Sequence, residues 1–341
     1  MQKTEHGVIT AAYLKQARNR LMLLCLLFLV ILLVSVYAVS SGSYDISVSE
    51  LIKILSGNGE KTTRVVITNI RIPRTVAAIL CGWGLALSGL AIQSLLKNPL
   101  GSPITLGISH GAAFGAAFSI VIFGAKMAAV TASAFSGGMA ATVFILLLVR
   151  LKKLSPLAIL LTGTALHSLF LSGTYLIQYI SNETNLARVV FWSFGDVARS
   201  DWNEIWILAA GVLLISIFLM MRRWDLNTLA SGDDTAKGLG VNVERIRLSG
   251  MFLATLVAAL ATAFHGIIGF LGLIAPHMAR RIVGDDHSIL VPFSAVLGAL
   301  LLLLADTAGR IFIGSGSLPV GVITSFLGAP MFLFLLIREV R

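Results

Sequence analysis

Charge is what this sequence has least of. Asp, Glu, Lys and Arg make up 12% of its 341 residues, against 57% apolar residues and a mean hydropathy of +0.90. No soluble domain of this length can bury so many apolar side chains in one core, so the composition demands lipid as solvent. Cysteine is nearly absent too. Cys25 and Cys81 each sit inside an apolar run, at a spacing that supports neither a disulfide nor a metal site, and read as inert thiols.

Absent motifs exclude further classes. There is no G-x-x-x-x-G-K-[ST] loop to cradle phosphates, and Gly238-Leu239-Gly240 is only a fragment of a dinucleotide pattern, read as a helix stop. There is no H-E-x-x-H. His167 lies mid-run, His265 near the outer end of another run and His277 after Pro276, none at metal spacing, so packing or helix–helix hydrogen bonding is the preferred role for each. Asp285, Asp286 and His287 fall beyond the end of an apolar run, where solvated charges are expected. Gly107-Ile108-Ser109-His110-Gly111 fits G-x-S-x-G. The nucleophile elbow needs a strand-to-helix turn, however, and this segment opens an apolar helix after Pro103. An ion-coupled carrier would place an ionisable side chain near the bilayer midplane. Asp306 and Arg310 lie near an outer end and the other acids in loops, so ion coupling is disfavoured and no catalytic or metal-binding residue is expected.

What is present is a series of apolar runs of about 20 residues, the length that crosses a bilayer's hydrocarbon. They give an all-α polytopic membrane protein of about ten helices in one domain, 1–341: residues 21–39, 75–96, 103–125, 127–149, 156–180, one ending at Met221, 248–268, 269–283, 289–308 and 319–337. The run at 21–39 is too long for a signal peptide and lacks an A-x-A cleavage site, so it reads as a retained helix. A short amphipathic surface helix is expected at 47–55, and the polar stretch 181–202 is placed outside. The net charge of +10 reads as topology and not as a nucleic-acid footprint, because the basic clusters Lys15–Arg18–Arg20, Arg150–Lys152–Lys153, Arg222–Arg223 and Arg338–Arg341 all fall on one side. Both termini are then cytoplasmic. Helices 2 to 5 and 7 to 10 start on opposite sides, the layout of an inverted repeat.

The cytoplasmic loop 224–247 is ordered. Asp233 and Asp234 begin a short helix through Thr235 and Ala236, stopped at Gly238-Leu239-Gly240 and followed by a second turn. Such order suits docking to a cytoplasmic partner.

Several long segments, in order over nearly the whole chain, resemble the FecCD-type permease family, the membrane subunits of bacterial ABC importers for iron–siderophore complexes, haem and cobalamin. They are Arg71-Ile72-Pro73-Arg74-Thr75 leading to Ala86-Leu87-Ser88-Gly89, Asn98-Pro99-Leu100 to Gly111, and Asp233 to Asn242. Gly269-Phe270-Leu271-Gly272 through Pro276-His277-Met278-Ala279-Arg280 and Leu318-Pro319-Val320-Gly321 through Gly328-Ala329-Pro330 complete the set. The resemblance implies a type II ABC importer permease with ten helices, in the bacterial cytoplasmic membrane. It further implies pairing with an identical or homologous second permease subunit, two cytoplasmic ATPase subunits that supply ATP and Mg, and an extracytoplasmic solute-binding protein. It implies binding-protein docking at Arg71, Arg74 and Arg310, and ATPase coupling at Asp233, Asp234, Thr235, Ala236, Gly238, Leu239 and Gly240. Many relatives carry Glu before Leu-Pro-Val-Gly where this chain has Ser317, so the pairing of that connection is not carried over. A stand-alone secondary transporter and an intramembrane hydrolase are the competing classes.

Overall fold

The computed structural model describes residues 2–41, 46, 48–56, 60–152, 155–312 and 318–339, and among these the chain is helical with no strand. Helix α1 (Gln2–Ser40) is followed by α2 (Val48–Leu55), the expected short surface helix, and by α3 (Lys61–Val66). A π-helical segment, Ile67–Arg71, joins α3 to α4 (Ile72–Leu96), so residues 61–96 form one rod. Pro73, which lacks an N–H to donate, sits just after the π-helical segment, at the junction where the rod's regular hydrogen-bond ladder is already interrupted. The rod stops at Lys97, which adopts the left-handed conformation at φ 49°.

The third helix begins later than the sequence implies. Instead of starting at Pro103, α5 (Ile108–Phe118) starts after an unwound stretch, 97–107, and runs into a π-helical segment, Ser119–Phe123. Ser102 and Thr105 hold this stretch: the Ser102 amide donates to Thr105 Oγ1 at 2.9 Å and the Thr105 amide to Ser102 Oγ at 3.2 Å. Gly107 closes it at φ 77°, a backbone conformation that glycine adopts without steric cost.

Next come α6 (Met127–Lys152), α7 (Pro156–Ile180), α8 (Glu183–Ser193), α9 (Trp202–Met221), α10 (Arg223–Ala230) and α11 (Asp233–Gly238). The chain continues through α12 (Val243–His265), α13 (Leu271–Val283), α14 (His287–Phe312) and α15 (Val320–Glu339). Two differences from the sequence reading have local causes. The polar stretch 181–202 contains α8, whose N terminus Asn182 caps by accepting the Asn185 amide at 2.8 Å. Helix α12 starts at Val243 and not at 248, because the Asn242 side chain accepts the Arg245 amide at 3.0 Å.

Among the described residues, seven helices are long and apolar enough to cross a membrane: Arg18–Ser40, Lys61–Leu96, Met127–Leu151, Pro156–Ile180, Trp202–Met221, Val243–His265 and His287–Ile311. Two shorter apolar helices, Ile108–Phe123 and Val320–Phe334, and the 13-residue α13 fall below that length.

Helix α4 is the centre. It is apolar around its whole circumference and packs against α9, α12, α13 and α14. Small residues permit these contacts, because in lipid helices associate by close packing and not by expulsion of water. A Cβ on Gly82 would run into the carbonyl oxygen of Gly298 on α14, and a Cβ on Gly298 into that of Gly82. Gly111 and Gly137 stand in the same relation between α5 and α6. Gly82→Val is therefore expected to lower stability by more than about 1–3 kcal/mol, the usual cost of overpacking. Ala165→Val on the exposed face of α7 should stay within about 0.5 kcal/mol; thermal unfolding of the detergent-solubilised variants checks both.

Candidate functional site

The three arginines expected to dock a partner converge on one corner of the bundle, and each already has partners within the chain. Arg71, 7% exposed, donates from Nη1 to the carbonyls of Val39 and Ser40 at 2.8 Å each, closing the end of α1. Arg74, one turn further along, approaches Asp306 of α14 with Nη2 at 2.8 Å and Nε at 2.9 Å, and lies 3.9 Å from Asp196. Arg310 follows Asp306 by one turn; its Nε is 3.3 Å from Asp306 Oδ2 and its Nη1 donates to the Ala38 carbonyl at 2.7 Å. Asp306 is fully buried, and the side chains of Arg74 and Arg310 are each 11% exposed. One carboxylate is thus shared by two guanidinium groups from different helices. The i, i+4 spacing of Asp306 and Arg310 was the sequence signal for part of this cluster, whereas the partnership with Arg74 needs the fold. Ser317 lies outside the described residues.

The opposite end of α4 carries a second cluster of the same kind. Asp233, at the start of α11, receives Lys97 Nζ at 2.9 Å and Arg247 Nη2 at 2.9 Å, and Arg247 Nε also donates to the Leu95 carbonyl at 3.2 Å. Burial pushes the Asp233 carboxyl up, but hydrogen bonds and charge from Lys97 and Arg247 outweigh it and hold the carboxyl below its ordinary value of 3.8. Beyond this anchor α11 stands exposed. Asp234, Thr235, Lys237, Gly238 and Gly240 face outward and Leu239 is 66% exposed, whereas Ala236 is fully buried beneath them. A cavity of about 400 Å³ opens beside it, lined by Val149, Ser155, Asp233, Lys237, Glu244 and Arg247.

Helix α10 is tied to the bundle by a polar network. Asn227 Oδ1 accepts the His287 amide at 2.9 Å and lies 2.7 Å from His287 Nδ1, and Asn227 Nδ2 donates to Asp286 at 3.0 Å. His287 Nε2 in turn lies 2.8 Å from Ser94 Oγ on α4, which also accepts from Arg280 at 3.3 Å. His287 is therefore not one of a set of solvated charges: it is 3% exposed, because α10 folds back over the start of α14. The Ser288 amide and Asn227 Nδ2 both donate to the Asp286 carboxyl and hold it below its ordinary range, the backbone bond acting most strongly.

Helix α7 presents an open face. Thr164, Ser168 and Ser172, at spacing four, are exposed along its middle, flanked by exposed Leu161, Leu169 and Tyr175. The Thr164 hydroxyl donates to the Leu161 carbonyl at 2.8 Å and that of Ser168 to the Thr164 carbonyl at 3.1 Å, so they are satisfied in an apolar setting yet remain able to accept.

A helical bundle with an apolar exterior, paired charges confined to its two ends and a hydroxyl-bearing face between them is that of a multi-pass membrane transport protein. The FecCD transport family model matches residues 27–338, and the chain belongs to that family. Its relatives include a protein named as an ABC transporter permease in Methanocaldococcus jannaschii, 46% identical over 97% of this chain and 98% of the relative. The Fe(3+)-citrate import system permease of Bacillus subtilis is 34% identical over 96% and 98%. The hemin transport system permease of Yersinia pestis is 36% identical over 80% and 83%. A solved inward-facing structure of a metal-chelate type ABC transporter superposes with a TM-score of 0.84 at 33% identity, covering 93% of this chain and 99% of that one.

Two outcomes follow from the clusters. Asp306→Asn leaves Arg74 and Arg310 without their shared counter-charge and should cost on the order of 3–5 kcal/mol, read as a loss of thermal stability. Because the Asp233 carboxyl is depressed, its stabilising share is complete above its ordinary value and is lost as pH falls through the lower, folded one. Hydrogen-exchange protection of α11, corrected for intrinsic rates, should hold from about pH 7 to about pH 4 and drop below that, while Asp233→Asn is low and flat throughout.

Proposed function

We propose that this chain is the permease subunit of a binding-protein-dependent ABC importer that carries a metal chelate of the iron–siderophore class across the cell membrane. In this reading the seven long spans are joined by α5, α13 and α15 to make ten crossings, with both termini cytoplasmic and the two four-helix blocks forming an inverted repeat. A second permease subunit, identical or homologous, completes the route, and the hydroxyl-bearing face of α7 borders it. The chelate class rests on the relatives named for ferric citrate and hemin and on the metal-chelate type transporter of the same fold; haem and cobalamin are the alternative cargoes within it.

The observation that carries the reading is α11. Its first residue is fixed by two cations from α4 and α12, its buried Ala236 seats it on the bundle, and Leu239 is left exposed at its tip. A helix pinned at one end and apolar at the other suits the cleft of a cytoplasmic ATPase that binds ATP and Mg. Any displacement of it acts directly on the end of α4. At the outer corner, acids of a solute-binding protein would meet Arg74 and Arg310 already engaged by Asp306. Docking there exchanges one carboxylate for another, which favours orientation and encounter over raw affinity.

Reconstitution with ATPase and binding protein in vesicles tests this. Leu239→Asp should reduce binding-protein-stimulated ATP hydrolysis to the basal rate. Reversal of Arg71, Arg74 and Arg310 to Glu should abolish uptake while membrane insertion persists. Stimulated hydrolysis and uptake that match the native protein in both variants would contradict the assignment.

A further inference from the structure

Two histidines that the transport reading leaves unused face each other between α5 and α7. His110 lies in the first turn of α5 and His167 midway along α7, both half-buried, with ring centroids 3.8 Å apart and planes inclined by 51°. His167 places Nδ1 3.4 Å from the carbonyl of Ile104 in the unwound stretch before α5. A carbonyl only accepts, so Nδ1 carries the proton and the lone pair is left on Nε2. Nδ1 of His110 is buried and has no hydrogen-bond partner among the described residues.

An uncommitted imidazole nitrogen in an apolar setting is costly unless something engages it. A pair of adjacent imidazoles is a donor set that suits iron, copper, nickel and zinc ions. The surroundings hold the pair in place. The loop before α5 lies against the backbone of α7, so that a Cβ on Gly107 would come within 2.8 Å of the backbone nitrogen of His167. Phe114 and Phe170, 5.8 Å apart, fill the space between the same two helices one turn further along. Thr164 and Ser168, which flank His167 in sequence, are exposed on the open face of α7.

Among the described residues no third His, Cys, Asp or Glu joins them to make a closed metal site. This shapes what the pair can do. A full protein ligand set retains its ion, whereas a site with open positions leaves the rest of the coordination sphere to what the metal brings. Discontinuous helices and sites near the bilayer midplane are also where transporters hold their cargo.

We propose that His110 and His167 form a two-imidazole site for a transition-metal ion with open coordination positions, either bare or within an incompletely filled chelate. As a station for cargo it rests on the reading that α7 borders the route.

The test uses the full-length protein, free of affinity-tag histidines, in nanodiscs, titrated with Cu2+ and separately with ferric haem. Electron paramagnetic resonance of the native protein should show copper coupled to two imidazole nitrogens. Loss of an outer-shell partner alone weakens metal sites 10–100-fold, so His110→Gln and His167→Gln should each weaken copper binding by at least about tenfold. A haem Soret shift that His167→Gln abolishes assigns the chelate as ligand, and copper binding without a haem response assigns the bare ion. A native copper spectrum without two coupled imidazoles overturns the site, and needs no variant to fold. Unchanged copper affinity in the double variant also overturns it. ATP-driven uptake by the assembled complex is measured in parallel. Uptake without the copper signal overturns the site and leaves the permease reading standing, whereas the signal without ATP-driven uptake does the reverse.

Discussion

Helix α4 is held at each end by a carboxylate shared between two cations, and the rest of the architecture is arranged around that clamp. Arg74 and Lys97 are its two contributions, 23 residues apart and so separated by about 35 Å along a helix, a little more than the hydrocarbon thickness of a bilayer. Asp306 completes one cluster from α14 and Asp233 the other from α11. Between them α4 carries no charge and is buried by helices that approach it at backbone distance through Gly82, Gly89 and Gly298.

Clusters of this kind are a weak source of stability, because removing charges from water costs most of what their attraction returns. Their effect is positional. They fix the ends of a rod whose middle is held by close packing and by a few hydrogen bonds, such as those from Trp83 to Ser216 and from Ser88 to the Ala254 carbonyl, and each brings an element from another part of the chain to that end. At the Lys97 end this element is α11, whose remaining surface is exposed. At the Arg74 end it is the pair α1 and α14, tied through the Arg71 and Arg310 bonds to the carbonyls of Ala38, Val39 and Ser40. The charged groups at both ends are therefore continuous with the same central helix.

Much of this was legible in the sequence where the signal is local. Apolar length located the long spans, and the acidic start and glycine stop of 233–240 marked the short helix that forms there as α11. The less legible parts depend on contacts distant in sequence. Asp306 and Arg310 show their spacing, but nothing in the chain announces that Arg74, 232 residues earlier, shares the same carboxylate. His287 looked like part of a solvated run because its neighbours are aspartates, and only the fold brings Asn227 and Ser94 to its two nitrogens. Helix α5 was placed too early because Pro103 is a good helix opener in isolation; the Ser102–Thr105 turn competes with it locally and wins. His110 was masked by a hydrolase-like pattern, and its proximity to His167 follows from the unwound stretch that the sequence did not reveal.

The central claim, a pore powered from outside its own chain, is tested most directly by transport in sealed vesicles. Co-reconstituted with its ATPase and binding protein, the chain should accumulate a metal chelate only when ATP is supplied, and should ignore proton or sodium gradients. Gradient-driven accumulation by this chain alone, without ATP or partner subunits, would contradict the account.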